Sequence, residues 1–190
     1  MGKRGYRNKG VEKPVYDGIT FDSIDEVQFY IYLKELKKHK LIDDFTFHPD
    51  SIEVIPSYTE IVEEVKQLKT KVKRTLKEKT VLHNATYTTD FIIKGLSDKM
   101  KPYFRASSDG LYWCDVKGHW SGSHGGDAKH FSLLVKVLWY LKRIFVNKIV
   151  VRDLCQETFV PDELRYTKTG KESKIFQCCK TIKEFLNHVK

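Results

Sequence analysis

Two β-type segments of this chain contain a carboxylate among apolar side chains. Asp90 stands in Tyr-Thr-Thr-Asp-Phe-Ile-Ile, and Asp115 stands in Trp-Cys-Asp-Val-Lys, two residues before Lys117. A charge inside an apolar strand is costly unless it is paired or binds a metal. Because side chains alternate along a strand, Asp115 and Lys117 are expected on one face, opposite Val116. The chain must therefore fold so that these charges meet each other or a ligand.

The surrounding pattern predicts an α/β fold with a mixed sheet. Apolar residues that recur with a period of about 3.6 predict helices over 22–40 and 128–146. At the start of the first helix, Ser23 and Glu26 have the spacing of a capping box. Six apolar side chains of the second helix are expected to face inward: Phe131, Leu134, Val135, Leu138, Leu141 and Phe145. Strands are predicted over 42–47, 52–55, 80–93, 111–117 and 148–154, and a short terminal helix over 181–189.

Residues 59–78 have two possible structures. Five apolar residues recur there with a helical period: Ile61, Val65, Leu68, Val72 and Leu76. Frequent threonine and valine allow a long twisted hairpin instead. The window 66–79 contains seven basic residues and one acid, Glu78. It is either a solvated surface or an arm that grips a nucleic-acid backbone, through residues such as Lys73 and Arg74.

The charge balance favours a polyanionic partner. The chain has 34 basic and 25 acidic residues, for a net charge of +9. Residues 1–13 are expected to form a flexible, glycine-containing basic segment at the N-terminus, in which Arg4, Arg7 and Lys9 track phosphates or are simply disordered. On the predicted helix over 128–146, Lys129 and Lys136 share a face, which is a solvated stripe or a DNA-binding surface.

Several classes of protein are disfavoured. No apolar run is long enough for a transmembrane helix and no secretory signal is present, so a cytoplasmic location is expected. Four scattered cysteines without a CxxC pair predict neither a disulfide framework nor a zinc ribbon. Phosphate-binding glycine motifs are absent, which argues against a nucleotide cofactor.

The joint pattern resembles the PD-(D/E)XK nuclease superfamily, whose signature is a helix Glu, a strand Asp and (D/E)-x-Lys. The matching stretches are Phe21-Asp22-Ser23-Ile24-Asp25-Glu26, Tyr87-Thr88-Thr89-Asp90-Phe91 and Asp115-Val116-Lys117-Gly118. Within the superfamily, the chain is similar to small phage endonucleases related to Holliday-junction resolvases. The resemblance covers roughly residues 16–151, interrupted at 59–79 and around 97–109. It implies a restriction-endonuclease-like αβββαβ core, with a central mixed sheet flanked by helices. Residues 14–190 would form one nuclease domain, with a basic insertion at about 59–79.

The resemblance also implies a role for each matching residue. Asp90 and Asp115 would be ligands of one or two Mg²⁺ or Mn²⁺ ions, and the Val116 carbonyl would be a main-chain ligand. Glu26 would bind metal directly or through water, and Lys117 would position the nucleophile. His119, in the loop after Gly118, could contact a phosphate near the site.

The implied activity is metal-dependent hydrolysis of DNA phosphodiesters with Glu26, Asp90, Asp115 and Lys117 as catalytic residues. The resemblance favours branched DNA as the substrate and a homodimer, acting in phage recombination or replication in the host cytoplasm. Two alternatives on the same fold stay open: a non-catalytic DNA-binding or recombination accessory protein, and a flap or single-strand nuclease. At the level of residues, Glu26 could simply cap its helix, and the two aspartates could pair with surface lysines.

Overall fold

The computed structural model describes residues 12–118, 125–167 and 169–188. The strands, in chain order, are β1 (Val15–Tyr16), β2 (Ile19–Thr20), β3 (Asp44–Phe47), β4 (Ile52–Ile55), β5 (Tyr58–Gln67), β6 (Val72–Leu82), β7 (Ala85–Tyr87), β8 (Phe91–Lys94), β9 (Tyr112–Val116) and β10 (Val146–Ile149). The helices are α1 (Ile24–Lys38), α2 (Gly125–Lys142), α3 (Val151–Glu157), α4 (Asp162–Arg165) and α5 (Ile182–His188), with one 3-10 turn at Lys101–Tyr103.

A mixed four-stranded sheet forms the centre of the fold, in the order β10-β9-β8-β3. β10 runs parallel to β9, and the other neighbours are antiparallel. The parallel pair is connected through α2, as a parallel crossover requires. The expected α/β architecture with a mixed sheet is therefore confirmed.

The two faces of the sheet pack against different helices. Buried residues of α1, α3 and α5 form one apolar cluster, into which Cys114 and Val116 of β9 point. The other face packs against α2, and Trp113 of β9 belongs to that second cluster. Because side chains alternate along β9, Asp115 shares the α2 side with Trp113. Within the described residues, no helix combines the length and the apolarity needed to cross a membrane.

Residues 44–94 form one long antiparallel ribbon with two interruptions. β3 pairs with β8, β4 pairs with β7, and β5 pairs with β6, so the chain runs out along three strands and returns along three. The outermost part, residues 58–82, is a β-hairpin that we call the arm. No arm residue belongs to either apolar cluster of the described chain.

The arm overturns the helical interpretation of residues 59–78 and supports the hairpin alternative. The apolar spacing was ambiguous because residues four apart share one side of a helix and also one side of a strand. Ile61 and Val65 thus lie on the same face of β5, and Val72 and Leu76 share one face of β6. Valine, isoleucine and threonine favour the extended backbone, which decides between the two structures.

Two boundaries near the C-terminal half also differ from expectation. α2 ends at Lys142 rather than 146, because Arg143 has a left-handed backbone (φ 57°) that stops the helix. Leu141, expected to face inward, is 47% exposed. The strand predicted over 148–154 overlaps only the last two residues of β10, which begins at Val146, and residues 151–157 form α3 instead. Val151, Leu154 and Cys155 are buried at helical spacing, which a short apolar run could not distinguish from a strand.

Candidate metal and catalytic site

Asp90 lies at the interruption of the ribbon that is nearer the central sheet, which we call the inner break. It immediately precedes β8 and is not in the middle of a strand as expected, because the ladder breaks at 48–51 and 88–90. Across this break, the Asp90 carbonyl accepts the His48 N–H at 2.9 Å. Because Asp90 lies outside a strand, its side chain does not have to alternate with those of its neighbours. Its Oδ2 accepts the Val116 N–H at 2.7 Å. The break thus directs this carboxylate toward β9.

Asp115 is buried within β9, with 5% of its surface exposed. Its Oδ1 accepts a hydrogen bond from Lys117 Nζ at 2.5 Å, and its Oδ2 accepts one from the Tyr87 hydroxyl at 3.3 Å. Asp115 and Lys117 thus lie on one face, as alternation predicts, while Cys114 is buried on the opposite side. The buried charge is paired, which satisfies the energetic requirement that the sequence raised.

The two aspartates form a closely interacting carboxyl pair. Burial, a hydrogen bond with Asp115 and the charge of Asp115 together raise the pKa of Asp90 to about 7. The Val116 N–H and the Lys117 ammonium oppose this rise. Burial and the nearby Asp115 charge also raise the pKa of Tyr87, so its hydroxyl stays a donor. Two carboxyls that repel each other in this way are the arrangement that a divalent cation relieves.

Lys117 connects the carboxyl pair to the helix on that side of the sheet. Its ammonium lies 5.0 Å from the centre of the Phe131 ring of α2, and its side chain is 27% exposed. The Lys117 N–H donates to the Ile149 carbonyl at 2.8 Å, which holds the backbone next to β10. The ammonium is therefore fixed at one end by Asp115 and remains accessible to a ligand.

Glu26 caps its own helix, as the spacing to Ser23 predicts. The Ser23 hydroxyl accepts the Glu26 N–H at 3.1 Å and donates to Glu26 Oε1 at 3.0 Å. Glu26 Oε2 accepts the Asp22 N–H at 3.0 Å. The carboxylate is only 6% exposed, and these contacts hold it in one orientation at the start of α1.

Glu26 also belongs to a small group with Asp22 and His48. One ligand atom from each lies within 4.8 Å of the others, and His48 Nε2 is 3.9 Å from Glu26 Oε2. The polar contacts of Glu26 in the described chain run to this group and to Ser23, and none reaches Asp90 or Asp115. His48 connects the two sets, because its backbone N–H binds the Asp90 carbonyl.

Sequence reasoning missed three residues that shape the site: His48, Tyr87 and Thr89. Thr89 is buried, and its hydroxyl donates to the Cys114 carbonyl at 2.7 Å, which ties the inner break to β9. His48 has a left-handed backbone (φ 43°), which is rare for a residue with a side chain. The available signal was the His-Pro-Asp break between two strands, which lies directly across the ribbon from Asp90.

The predicted DNA-binding residues occupy separate surfaces. Lys73 and Arg74 are exposed on β6 of the arm, and Lys129 and Lys136 are exposed on α2. Of these two described surfaces, α2 alone contacts the carboxyl site directly, through the Phe131 ring. Arg4, Arg7, Lys9 and His119 lie outside the described residues.

Comparison with known proteins identifies a family but no activity. The model of the family described as "Protein of unknown function (DUF1064)" matches residues 4–132. The chain therefore belongs to the DUF1064 family, and the matched region includes Glu26, Asp90, Asp115 and Lys117. No curated protein and no solved structure matches the chain.

Proposed function

We propose that this member of the DUF1064 family is a metal-dependent DNA endonuclease. The observation that carries the proposal is the pair formed by the half-buried Asp90 and the buried Asp115, with the Lys117 ammonium 2.5 Å from Asp115. Two adjacent carboxylates suit a hard divalent cation, and an adjacent ammonium suits the anionic phosphate of the reaction. A purely structural ion pair would not need the second carboxylate, whose burial opposes its ionisation.

The order of elements supports a restriction-endonuclease-like core. In chain order, α1, β3, β8, β9, α2 and β10 follow the αβββαβ sequence that the resemblance implies. The arm and its base, residues 48–90, are then an insertion between the first two core strands. Asp90 ends the insertion immediately before β8, and Asp115 lies on β9, in the positions that match the superfamily motif.

Mg²⁺ or Mn²⁺, as one or two ions, fits the donors that this site offers. Asp90 and Asp115 would hold the metal, together with the Val116 carbonyl, and Glu26 would bind it directly or through water. The set is dominated by carboxylate oxygens, which are the ligands of hard cations. When bound, such a metal polarises a phosphoryl oxygen and lowers the pKa of water.

The remaining steps belong to side chains of the chain itself. Lys117 would orient the attacking water and offset the charge that develops on the phosphate. Asp115 holds the ammonium in place, and the Tyr87 hydroxyl in turn holds Asp115. The Val116 N–H fixes the rotamer of Asp90. The site is therefore arranged before substrate arrives, which lowers the cost of reorganisation during the reaction.

Branched DNA is the proposed substrate, cut by a homodimer. The basic residues that would contact DNA lie on two separate elements, the arm and α2, so they could engage more than one duplex. A four-way junction needs two symmetric cuts, which a twofold dimer supplies.

Cleavage of labelled four-way junction, flap, duplex and single-stranded DNA tests the proposal. Each substrate is incubated with Mg²⁺, with EDTA, and with the Asp115→Asn variant. Asp98→Asn is the matched control, because Asp98 is exposed and pairs with Lys101 away from the site. We expect paired symmetric nicks in the junction, lost with EDTA and in Asp115→Asn but kept in Asp98→Asn.

Other outcomes separate the alternatives. Metal-dependent cutting of a flap or single strand alone would keep the site and reject the junction. Salt-sensitive DNA binding without cutting of any substrate would reject the nuclease and favour an accessory protein.

A further inference from the structure

The arm exposes aliphatic side chains that the described chain does not cover. Four of them are Ile61 (71% exposed), Val65 (55%), Val72 (54%) and Leu76 (72%). A two-stranded hairpin without a packed face is marginally stable in water, and contiguous exposed aliphatic side chains commonly mark an interface. The arm therefore has a surface that needs a partner.

The register of the hairpin collects these four residues on one face, which we call the aliphatic face. Ile61 pairs with Glu78, and two steps along, Leu76 pairs with Glu63. The next pairs on this face are Val65 with Arg74 and Gln67 with Val72. Since paired residues share a face, the aliphatic side chains form a zigzag along the arm.

The opposite face of the arm is covered by its own charges. Glu64 lies there between two lysines, 2.5 Å from Lys77 and 3.8 Å from Lys66. Val62 and Thr75 are half-buried on that side, where they pair with Lys77 and Glu64 across the hairpin. Among the described residues of the arm, the aliphatic face therefore offers apolar surface that a protein partner could bury.

The charge of the arm changes sign along its length. The tip, residues 66–74, has five basic side chains and no acid: Lys66, Lys69, Lys71, Lys73 and Arg74. All the acidic residues of the arm lie nearer its base: Glu60, Glu63, Glu64 and Glu78. Two arms packed in opposite directions would therefore place each basic tip beside an acidic base.

We propose that the aliphatic face packs against the same face of a second copy of this chain, antiparallel and related by a twofold axis. Such a contact is isologous, so each zigzag buries the other. Arg74 lies 3.8 Å from Glu63 of its own chain, and the antiparallel contact would also bring it beside Glu63 of the partner subunit. DNA fits this face less well, because Glu63 and Glu78 would repel phosphates and the aliphatic side chains would gain little from them.

Sedimentation velocity of the full chain over a range of concentrations, without metal or DNA, tests the proposal. We expect a reversible dimer whose Kd rises by about tenfold or more in Ile61→Thr/Leu76→Thr, because two buried aliphatic contacts are lost. Threonine keeps the strand propensity, and circular dichroism checks that the domain stays folded. The measurement contains no substrate, so it is independent of whether the chain cuts DNA.

Two matched valines sharpen the test. Val65 and Val81 are 55% and 56% exposed, but Val81 lies at the irregular base of the arm, outside the aliphatic face. Val65→Thr should weaken the dimer and Val81→Thr should leave it unchanged. A wild-type chain that is monomeric at every concentration would overturn the proposal, as would equal effects of the two valines. Monomers whose DNA affinity falls in Ile61→Thr/Leu76→Thr would instead assign the face to DNA.

Discussion

The inner break of the ribbon and the arm at its far end place residues in opposite environments. At the break, Asp90 is half-buried, and it lies beside the buried carboxylate of Asp115 on β9. On the arm, Ile61 and Leu76 are more than two-thirds exposed. Both arrangements are unfavourable for a chain alone in water, one through buried charge and the other through exposed apolar surface.

We therefore propose a different kind of partner for each region. Buried carboxyls are satisfied by a cation, whereas exposed aliphatic side chains are satisfied by another apolar surface. The break is held by hydrogen bonds to β9 and by the core, so it is rigid before a ligand arrives. Among the described residues, the arm is held by its own ladder and joins neither apolar cluster. Changes at the break should therefore alter chemistry, and changes on the arm should alter association.

Replacement of the site ammonium should give the largest effect. Lys117→Gln removes the charge that would stabilise the reacting phosphate, so kcat should fall by about 100- to 1,000-fold. DNA affinity and the dimer should change little, because the ammonium is one cation among many. Single-turnover cleavage and sedimentation measure the two properties. Lys94→Gln, an exposed lysine at the end of β8, is the control. Equal losses in both variants would contradict a catalytic role for Lys117.

Asp90→Asn should change stability with pH, because the folded chain holds a proton that the unfolded chain releases. The pKa of Asp90 is about 7 when folded and near 3.8 otherwise, so wild-type stability falls as pH rises between these values. The asparagine side chain of the variant cannot ionise and can still accept the Val116 N–H. In EDTA, the Tm of the variant minus the Tm of the wild type should therefore be larger at pH 8 than at pH 5, by roughly 2–8 °C.

The same variant distinguishes the effect of a bound cation on Tm from the effect of protonation of Asp90. At pH 8, Mg²⁺ should raise the Tm of the wild type but not of Asp90→Asn, because the variant lacks one of the proposed ligands. Thermal unfolding in EDTA and in excess Mg²⁺ measures both effects. A pH-independent Tm difference between the two proteins would show that Asp90 is ionised at neutral pH in the free chain.

His48→Ala should moderately weaken the affinity of the site for Mg²⁺ and should leave the association through the arm unchanged. The imidazole is 3.9 Å from Glu26, and groups that orient metal ligands typically contribute about 10-fold in metal affinity. The Mg²⁺ concentration for half-maximal cleavage should rise by about that factor, with sedimentation unchanged. His39→Ala is the control, because His39 contacts Glu35 at the other end of α1. An unchanged Mg²⁺ requirement would remove His48 from the site.

Lys73→Gln should have the smallest effect, on DNA affinity alone. Among the described residues Lys73 has no ion-pair partner, whereas Lys77 on the same face binds Glu64 at 2.5 Å. Loss of Lys73 should reduce the slope of log K against log salt by about 1 and leave kcat unchanged. Lys77→Gln should change the slope less, because its charge is already offset. Identical slopes for wild type and Lys73→Gln would exclude the arm tip from the DNA interface.

Residue pattern predicted the α/β class of the fold and the placement of Asp115 and Lys117 on one face of a strand. The alternation in Asp115-Val116-Lys117 placed the acid and the base on one face, and the Ser23–Glu26 spacing predicted the helix cap. Both are local, because they depend on the geometry of one strand or one helical turn. The arm was ambiguous because a four-residue apolar spacing suits a helix and a strand equally.

Tertiary structure alone decided which distant groups meet. The sequence determined the α/β class, the carboxylate of Asp115 in an apolar strand and the basic character of residues 66–79. It could not show that His48 lies across a broken ladder from Asp90, or that Tyr87 reaches Asp115, since these contacts depend on ribbon register. Nor could it show that Ile61 and Leu76 stay outside the core. Burial depends on which elements pack together, and this depends on the interactions of all the elements of the fold rather than on local sequence.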